Sequence, residues 1–259
     1  MLMAQYGEEF IDRLHLVWGP GFLSPGGARE VARIASGLDL NNALVLDIGC
    51  GTGGPAIVLV RDLGTRVICV DVEQQLLDRA SALANEAGVG DQIEYRLVTP
   101  GPLPFEDDSF DAVFSKDALI HIRDKKALYA EILRVLKPGG AFAASDCLSG
   151  ENAADDKAFQ HYLSLVNLDF TMATAAQTAE VMRQAGFEHV RTNDRNAWYT
   201  ELSRQELAQV EGPLRDRIIE VSSIETYELW LAVRRALAAA TNSGGLRPTH
   251  LRGYNAKDR

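Results

Sequence analysis

The sequence is poor in cysteine: Cys50, Cys69 and Cys147 are the whole complement in 259 residues. Three is an odd number, none of them forms a CxxC pair or joins a Cys/His cluster, and so neither a disulfide framework nor a metal site is indicated. The thiols read as small buried hydrophobes. The chain also lacks any apolar run of the roughly 20 residues that a membrane span needs. The most apolar late stretch, residues 230–240, is split by Arg234 and Arg235. The N-terminal stretch MLMAQYGEEFIDR has acids where a secretory signal has bases, and no apolar centre, so a cytoplasmic protein without a membrane partner is expected. An excess of basic residues is missing too. Lys and Arg number 26 against 36 Asp and Glu, and the formal net charge of −10 repels a phosphate backbone, which excludes nucleic acid as an expected partner. Repeats and low-complexity stretches are absent. What remains is an ordinary globular composition, 46% hydrophobic and 24% charged, long enough for one sizeable core, and a single domain over 1–259 is expected.

Between residues 43 and 147 short Val/Ile/Leu/Phe runs alternate with helix-length amphipathic segments. The runs are ALVLDI at 43–48, RVICVD at 66–71, QIEYRLV at 92–98, DAVFSK at 111–116 and AFAASDC at 141–147. Gaps of helix length rule out tight hairpins, so the pattern predicts parallel strands with right-handed crossovers, an open α/β sheet with helices on both faces. Helices are expected over 54–63, 73–87 and 124–136, each ending near a glycine. Residues 1–37 read as one or two helices broken by WGPGFLSPGG, and residues 150–240 as several helices around one strand, EHVRTND at 188–194. After the turn-rich TNSGG at 241–245 the tail is expected to return as an edge strand, because Pro248 is tolerated at an edge and not in a central strand.

The sharpest motif is VLDIGCGTGG at 45–54, a strand running into a glycine turn that opens a helix. Glycines permit positive φ and close approach of a ligand to the backbone, and the carboxyl edge of a parallel sheet is where α/β ligands bind. Alone, such a turn is as readily a tight connection. The second strand adds a carboxylate, Asp71, 22 residues after Gly49, near the offset at which an acid accepts hydrogen bonds from ribose hydroxyls. The spacing of Gly49, Gly51 and Gly54 does not by itself exclude NAD. Asp47 discriminates, because a carboxylate two residues before the first glycine repels pyrophosphate and suits a cofactor with an ammonium group, such as the methionine end of S-adenosylmethionine.

On this loop the sequence resembles the class I S-adenosylmethionine-dependent methyltransferases, whose DxGxGxG pattern it matches. LPF at 103–105 with DSFD at 108–111, and LKPGG at 136–140, extend the match over roughly residues 43–147. QY at 5–6, GFLSPGG at 21–27, FSKDALIHIRDK at 114–125, DR at 194–195, EL at 206–207, VE at 210–211 and RGY at 252–254 are similar to the phosphoethanolamine N-methyltransferases. VWG at 17–19 and SKDAL at 115–119 are similar to bacterial sarcosine and dimethylglycine N-methyltransferases. The resemblance implies a Rossmann-like, seven-stranded, mostly parallel sheet with helices on both faces, an antiparallel C-terminal edge strand and helical lid insertions. It implies N-terminal cap helices over 1–37, a cofactor-binding core over 38–147 and a substrate roof over 148–259. The implied cofactor is S-adenosylmethionine: Asp47 and Gly49 at its methionine, Asp71 at its ribose, Tyr6 and Ser24 closing over it, with Gly51, Val72, Thr99, Pro100 and Lys116 completing the set. Thr99-Pro100 departs from the family, which has an acid followed by a residue whose N–H meets adenine; proline donates none. Asp117, His121 and Tyr6 are the implied catalytic residues.

An amine acceptor is largely protonated at neutral pH and has no lone pair until a proton leaves, so a general base helps. His121 titrates in the right range, and Asp117 four residues earlier reaches it across a helical turn; a surface histidine after a helix-starting acid is the plain alternative. The acceptor's other end needs a counter-charge, and among Arg183, Arg191, Arg195, Arg234 and Arg235 the first choice is Arg195, beside Trp198 and Tyr199, which serve either as a cage for a methylated ammonium or as buried structural aromatics. Three readings stand: an N-methyltransferase of phosphoethanolamine, its methylated forms, or sarcosine and dimethylglycine; an O-, S- or C-methyltransferase of another metabolite; and a nucleoside-binding protein without catalysis. The oligomeric state is open.

Overall fold

The computed structural model describes residues 6–166 and 170–257. In chain order the elements are α1 (Glu8–Trp18), α2 (Gly27–Ala35), β1 (Leu44–Ile48), α3 (Gly54–Leu63), β2 (Arg66–Asp71), α4 (Gln74–Glu86), β3 (Ile93–Leu97), β4 (Phe110–Lys116) and α5 (Lys125–Val135). They continue with β5 (Leu136–Ser149), α6 (Lys157–Leu165), α7 (Ala175–Ala185), β6 (Glu188–Asp194), α8 (Asn196–Glu211), α9 (Arg215–Glu220), α10 (Ile224–Ser243) and β7 (Leu246–Tyr254). The strands form one seven-stranded sheet in the order β3-β2-β1-β4-β5-β7-β6. The first five pair in parallel, as helix-length gaps require, and β7 runs antiparallel to both neighbours.

β1, β2 and β4 are apolar almost throughout because both sheet faces are covered. One face packs Val45, Val67 and Phe114 against α2, α3 and α4 through Ile34, Leu59 and Leu77. The other packs Leu46, Val113 and Phe142 against α5 and α7 through Ile132 and Met182. The strand order reverses between β1 and β4, so the carboxyl ends of these two strands open the crevice where ligands of such sheets bind. Two further apolar clusters, one joining α6, α8 and α10 and one joining α1, α9 and α10, build the structure above that crevice.

The C-terminal strand is antiparallel as expected, but it lies one place in from the edge; β6 is the edge strand. Pro248 is accommodated by register. Its carbonyl accepts from Arg195 N at 2.8 Å, on the β6 side, and β6 pairing ends at Thr249 opposite Asp194. N and C=O of one strand residue face the same side, so the missing N–H costs no bond to β5. The edge position falls to EHVRTND, which is exposed at nearly every position and charged, as edges tend to be. β5 also begins earlier than its apolar run, at Leu136, so Pro138 and Gly139 lie within the strand.

Candidate active site

The glycine turn follows β1. Gly49 takes φ +68°, and a Cβ added there would stand 2.4 Å from Ala118 Cβ, so only glycine lets the turn lie against the residue that follows Asp117. Gly49 and Cys50 both donate to Val70 O, at 2.9 and 3.2 Å, which hooks the turn to β2. Asp71, at the end of β2, completes the brace: its carboxylate accepts from Gly51 N at 3.0 Å, Val72 N at 2.7 Å and Glu73 N at 3.2 Å. Burial raises the Asp71 pKa and these three N–H groups oppose the rise. Asp71 is therefore first a clamp on the glycine turn, and any ribose contact uses its remaining lone pairs. From outside, Gly54 N donates to Gly21 O at 2.9 Å, tying the start of α3 to the loop between α1 and α2. Sequence reading missed that lock; its signal is a glycine facing a glycine, since a Cβ on Gly54 would fall 2.5 Å from Gly21 O.

Asp47 sits on β1 at 1% exposure, and neither of its buried carboxylate oxygens has a hydrogen-bond partner among the described residues. Burial, and then the charge of Asp71, push its pKa up to about 8. A buried acid left without donors is costly unless a cation meets it. The ammonium of a methionine moiety would supply that charge and those donors, so the residues present fit S-adenosylmethionine. Thr99 and Pro100 are exposed on the loop after β3, and Val72 is 56% exposed.

The end of β4 carries the second half of the site. Lys116, whose side chain is 2% exposed, spends its three donors on Ser24 Oγ at 2.7 Å, Pro25 O at 2.8 Å and Asp117 Oδ2 at 2.6 Å. It pins the α1–α2 loop to the sheet. Asp117 turns the chain at φ +55°, donates its N–H to Ser145 O at 2.7 Å and accepts from Ser145 Oγ at 2.7 Å. Burial alone would raise the Asp117 pKa, but Lys116 and Ser145 outweigh it and hold it below the usual carboxylate value. The helical turn expected between Asp117 and His121 is not formed. Leu119–His121 is a 3₁₀ turn after the left-handed Asp117, whose carboxylate faces Lys116 and Ser145. The His121 ring lies 5.4 Å from that of Phe170.

Asp117 and His121 line a cavity of about 390 Å³ together with Tyr6, Ser24, Trp198, Tyr199 and Arg234. The glycine-turn residues are not among its walls; the turn borders it through Gly49 against Ala118. Tyr6 has its hydroxyl pKa pushed up to about 12, by burial first and then by Asp71 and Glu73, so it is neutral at ordinary pH. Arg195, the expected anion binder, is committed elsewhere. It grips Glu30 with two bonds, at 3.0 and 3.1 Å, lies over Trp198 at 4.6 Å, and is not part of the cavity wall. His250 joins Glu30 from β7 at 2.7 Å. Arg234 is on the wall but pairs with Glu206, which also accepts from Trp18 Nε1 at 2.8 Å, and it lies over the Trp18 and Trp230 rings. Gln5, the partner of Tyr6 in the sequence motif, lies outside the described residues.

A family profile described as a methyltransferase domain matches residues 46–144. The fold and this matched glycine turn place the chain among the class I S-adenosylmethionine-dependent methyltransferases, whose cofactor is S-adenosylmethionine. Within that class the chain is 30% identical over 227 residues to phosphoethanolamine N-methyltransferase 3 of Arabidopsis thaliana, matching 87% of its own length and 45% of that protein's. The chain thus spans about half the length of the curated relatives it matches. Its fold superposes with a TM-score of 0.89, at 23% identity, on Haemonchus contortus phosphoethanolamine N-methyltransferase 2 bound to phosphomonomethylethanolamine and S-adenosylhomocysteine, covering 98% of this chain and 59% of that one. It superposes at 0.82, with 24% identity, on a candidate sarcosine dimethylglycine methyltransferase from Galdieria sulphuraria, covering 96% and 97%. Among the described residues no helix is long and apolar enough to cross a membrane, and no cluster of His, Cys, Asp and Glu has a metal site's make-up.

Proposed function

We propose that the chain transfers a methyl group to the amine nitrogen of a small-molecule acceptor held in the cavity beside Asp117 and His121. S-adenosylmethionine, when bound, supplies the electrophilic methyl group. The acceptors named for its relatives, phosphoethanolamine and its methylated form, and sarcosine with dimethylglycine, share an amine and an anionic tail. The observation that carries the reading is the buried yet ionised Asp117 on the cavity wall, one residue past β4 at the point where the strand order reverses. An ionised carboxylate there attracts and orients an ammonium. Lys116 and Ser145 use part of its acceptor capacity and fix its direction, leaving lone pairs for the incoming N–H. His121, on the same wall, takes the proton that the amine must lose before attack. Tyr6, neutral, closes the wall with a hydroxyl that donates or accepts and does not serve as a base. The protein's remaining work is alignment.

The test is the pH–rate profile of wild type and His121→Ala. The mutant should lose roughly 10²- to 10⁴-fold in kcat, the range for general-base catalysis, and the acid limb of the profile should vanish with cofactor affinity unchanged. A near wild-type kcat with the acid limb intact would refute this role and point to an acceptor atom that needs no base.

A further inference from the structure

We infer that the acceptor carries its amine on an apolar body of about aromatic size and not on a phosphate or carboxylate tail, a conclusion that rests on the methyl-transfer reading above. The cavity is large for a two-carbon metabolite, about 390 Å³, and its walls are mostly aliphatic and aromatic: Phe10, Leu14, Val233 and Leu237 beside the tryptophans. All three tryptophans of the chain, Trp18, Trp198 and Trp230, line it. Such walls suit apolar surface and the faces that receive a methylated ammonium.

The charges on the walls point the same way. Among the described lining residues the formally charged ones are two acids, Glu30 and Asp117, and one base, Arg234. Glu30 is already matched by Arg195 and His250, and Asp117 by Lys116. Arg234 is buried against Glu206, its charge balanced before any ligand arrives. To take a phosphate it would have to release a carboxylate that is itself buried and held by Trp18. Besides the Nη2–H given to Glu206, the buried Nε of Arg234 has no partner among the described residues. Among the described lining residues Arg234 is the one formal cation and its charge is already matched, so a dianion would enter without a counter-charge.

The tryptophans make the test direct. With S-adenosylhomocysteine present, tryptophan emission excited at its red edge is followed while 4-phenylbutylamine or phosphoethanolamine is added, and transfer of labelled methyl from S-adenosylmethionine to each is measured in parallel. A saturable emission change with 4-phenylbutylamine at a Kd at least tenfold below that for phosphoethanolamine, lost in a folded Val233→Asp variant, is expected. Methyl transfer should favour the apolar amine in kcat/KM by the same tenfold or more. Tighter binding or faster methylation of phosphoethanolamine overturns the inference and leaves the methyl-transfer reading standing. Binding of the apolar amine without transfer to either amine, by a protein that binds the cofactor, has the opposite meaning: it upholds the character of the cavity and refutes amine methylation.

Discussion

Replacing Asp47 by asparagine removes the charge and keeps the shape, and its effect follows from the buried setting of this carboxylate. An unfolded aspartate loses its proton near pH 3.8, whereas Asp47 in the folded chain keeps it to about 8. Its folded pKa is the higher one, so stability is fully present below the unfolded pKa and is lost as pH rises toward the folded pKa, because the native state binds a proton that the unfolded state has released. The slope is about 1.4 kcal/mol per pH unit, and between pH 5 and 8 the cofactor-free protein should lose about 3 to 4 kcal/mol through this group alone. That is a large part of an ordinary folding free energy. Asp47→Asn does not titrate and should be spared the loss. Urea unfolding of both proteins without cofactor at pH 5, 6, 7 and 8 isolates it, since every other titrating group cancels in the difference. The mutant should gain on wild type at each step. It should also bind S-adenosylmethionine roughly ten- to hundredfold more weakly at pH 8, having lost a charge-assisted hydrogen bond worth about 1.5 to 3 kcal/mol. A difference in stability that stays flat with pH would show that Asp47 does not carry this proton, and the fit to an ammonium would fall with it.

Arg195→Ala should lower stability by about 1.5 to 3 kcal/mol, because a buried Glu30 whose side chain is 3% exposed loses its charged donor and keeps only His250 and the more distant Arg33, while acceptor KM in the protein that remains folded stays within twofold; a selective rise in KM would return Arg195 to the acceptor. Lys116→Met should cost about 3 to 5 kcal/mol by leaving Asp117 buried without its cation, and should raise the pKa of Asp117, seen as an upward shift of its carboxyl titration by NMR; an unshifted titration would show that Lys116 does not set this charge. Gly49→Ala should abolish cofactor binding by calorimetry at a cost of more than about 2 kcal/mol in stability, since its left-handed φ and its contact with Ala118 both resist a Cβ; retained affinity would mean that the turn can move.

The sequence shows what is encoded locally. The βα alternation is visible because each strand is one apolar run and each crossover one helix, and Asp47, the glycine turn and Asp71 are visible because strand, turn and strand are neighbours in the chain. Pro248 predicts an edge place for β7 because proline interrupts a central ladder, but the deciding fact is which side its nitrogen faces, and that depends on the pairing register. The edge character was instead written in the charges of EHVRTND. The roles of Arg195 and Arg234 were illegible for another reason. Glu30 lies 165 residues from Arg195 and 220 from His250, and Glu206 lies 188 from Trp18, so no local pattern announces that these cations are already neutralised. The Asp117–His121 spacing looked helical, but the pull of Lys116 and Ser145 on Asp117 and its positive φ set another path.

The central claim, methyl transfer to an amine, is tested most directly by incubating the protein with S-adenosylmethionine and an acceptor panel and following S-adenosylhomocysteine and the products by mass. The panel holds phosphoethanolamine, glycine, sarcosine, dimethylglycine and apolar primary and secondary amines. S-adenosylhomocysteine is expected in equal amount to an amine that has gained one methyl group on nitrogen. Tight binding of the cofactor with no S-adenosylhomocysteine formed on any acceptor would contradict it, and would make the chain a nucleoside-binding protein.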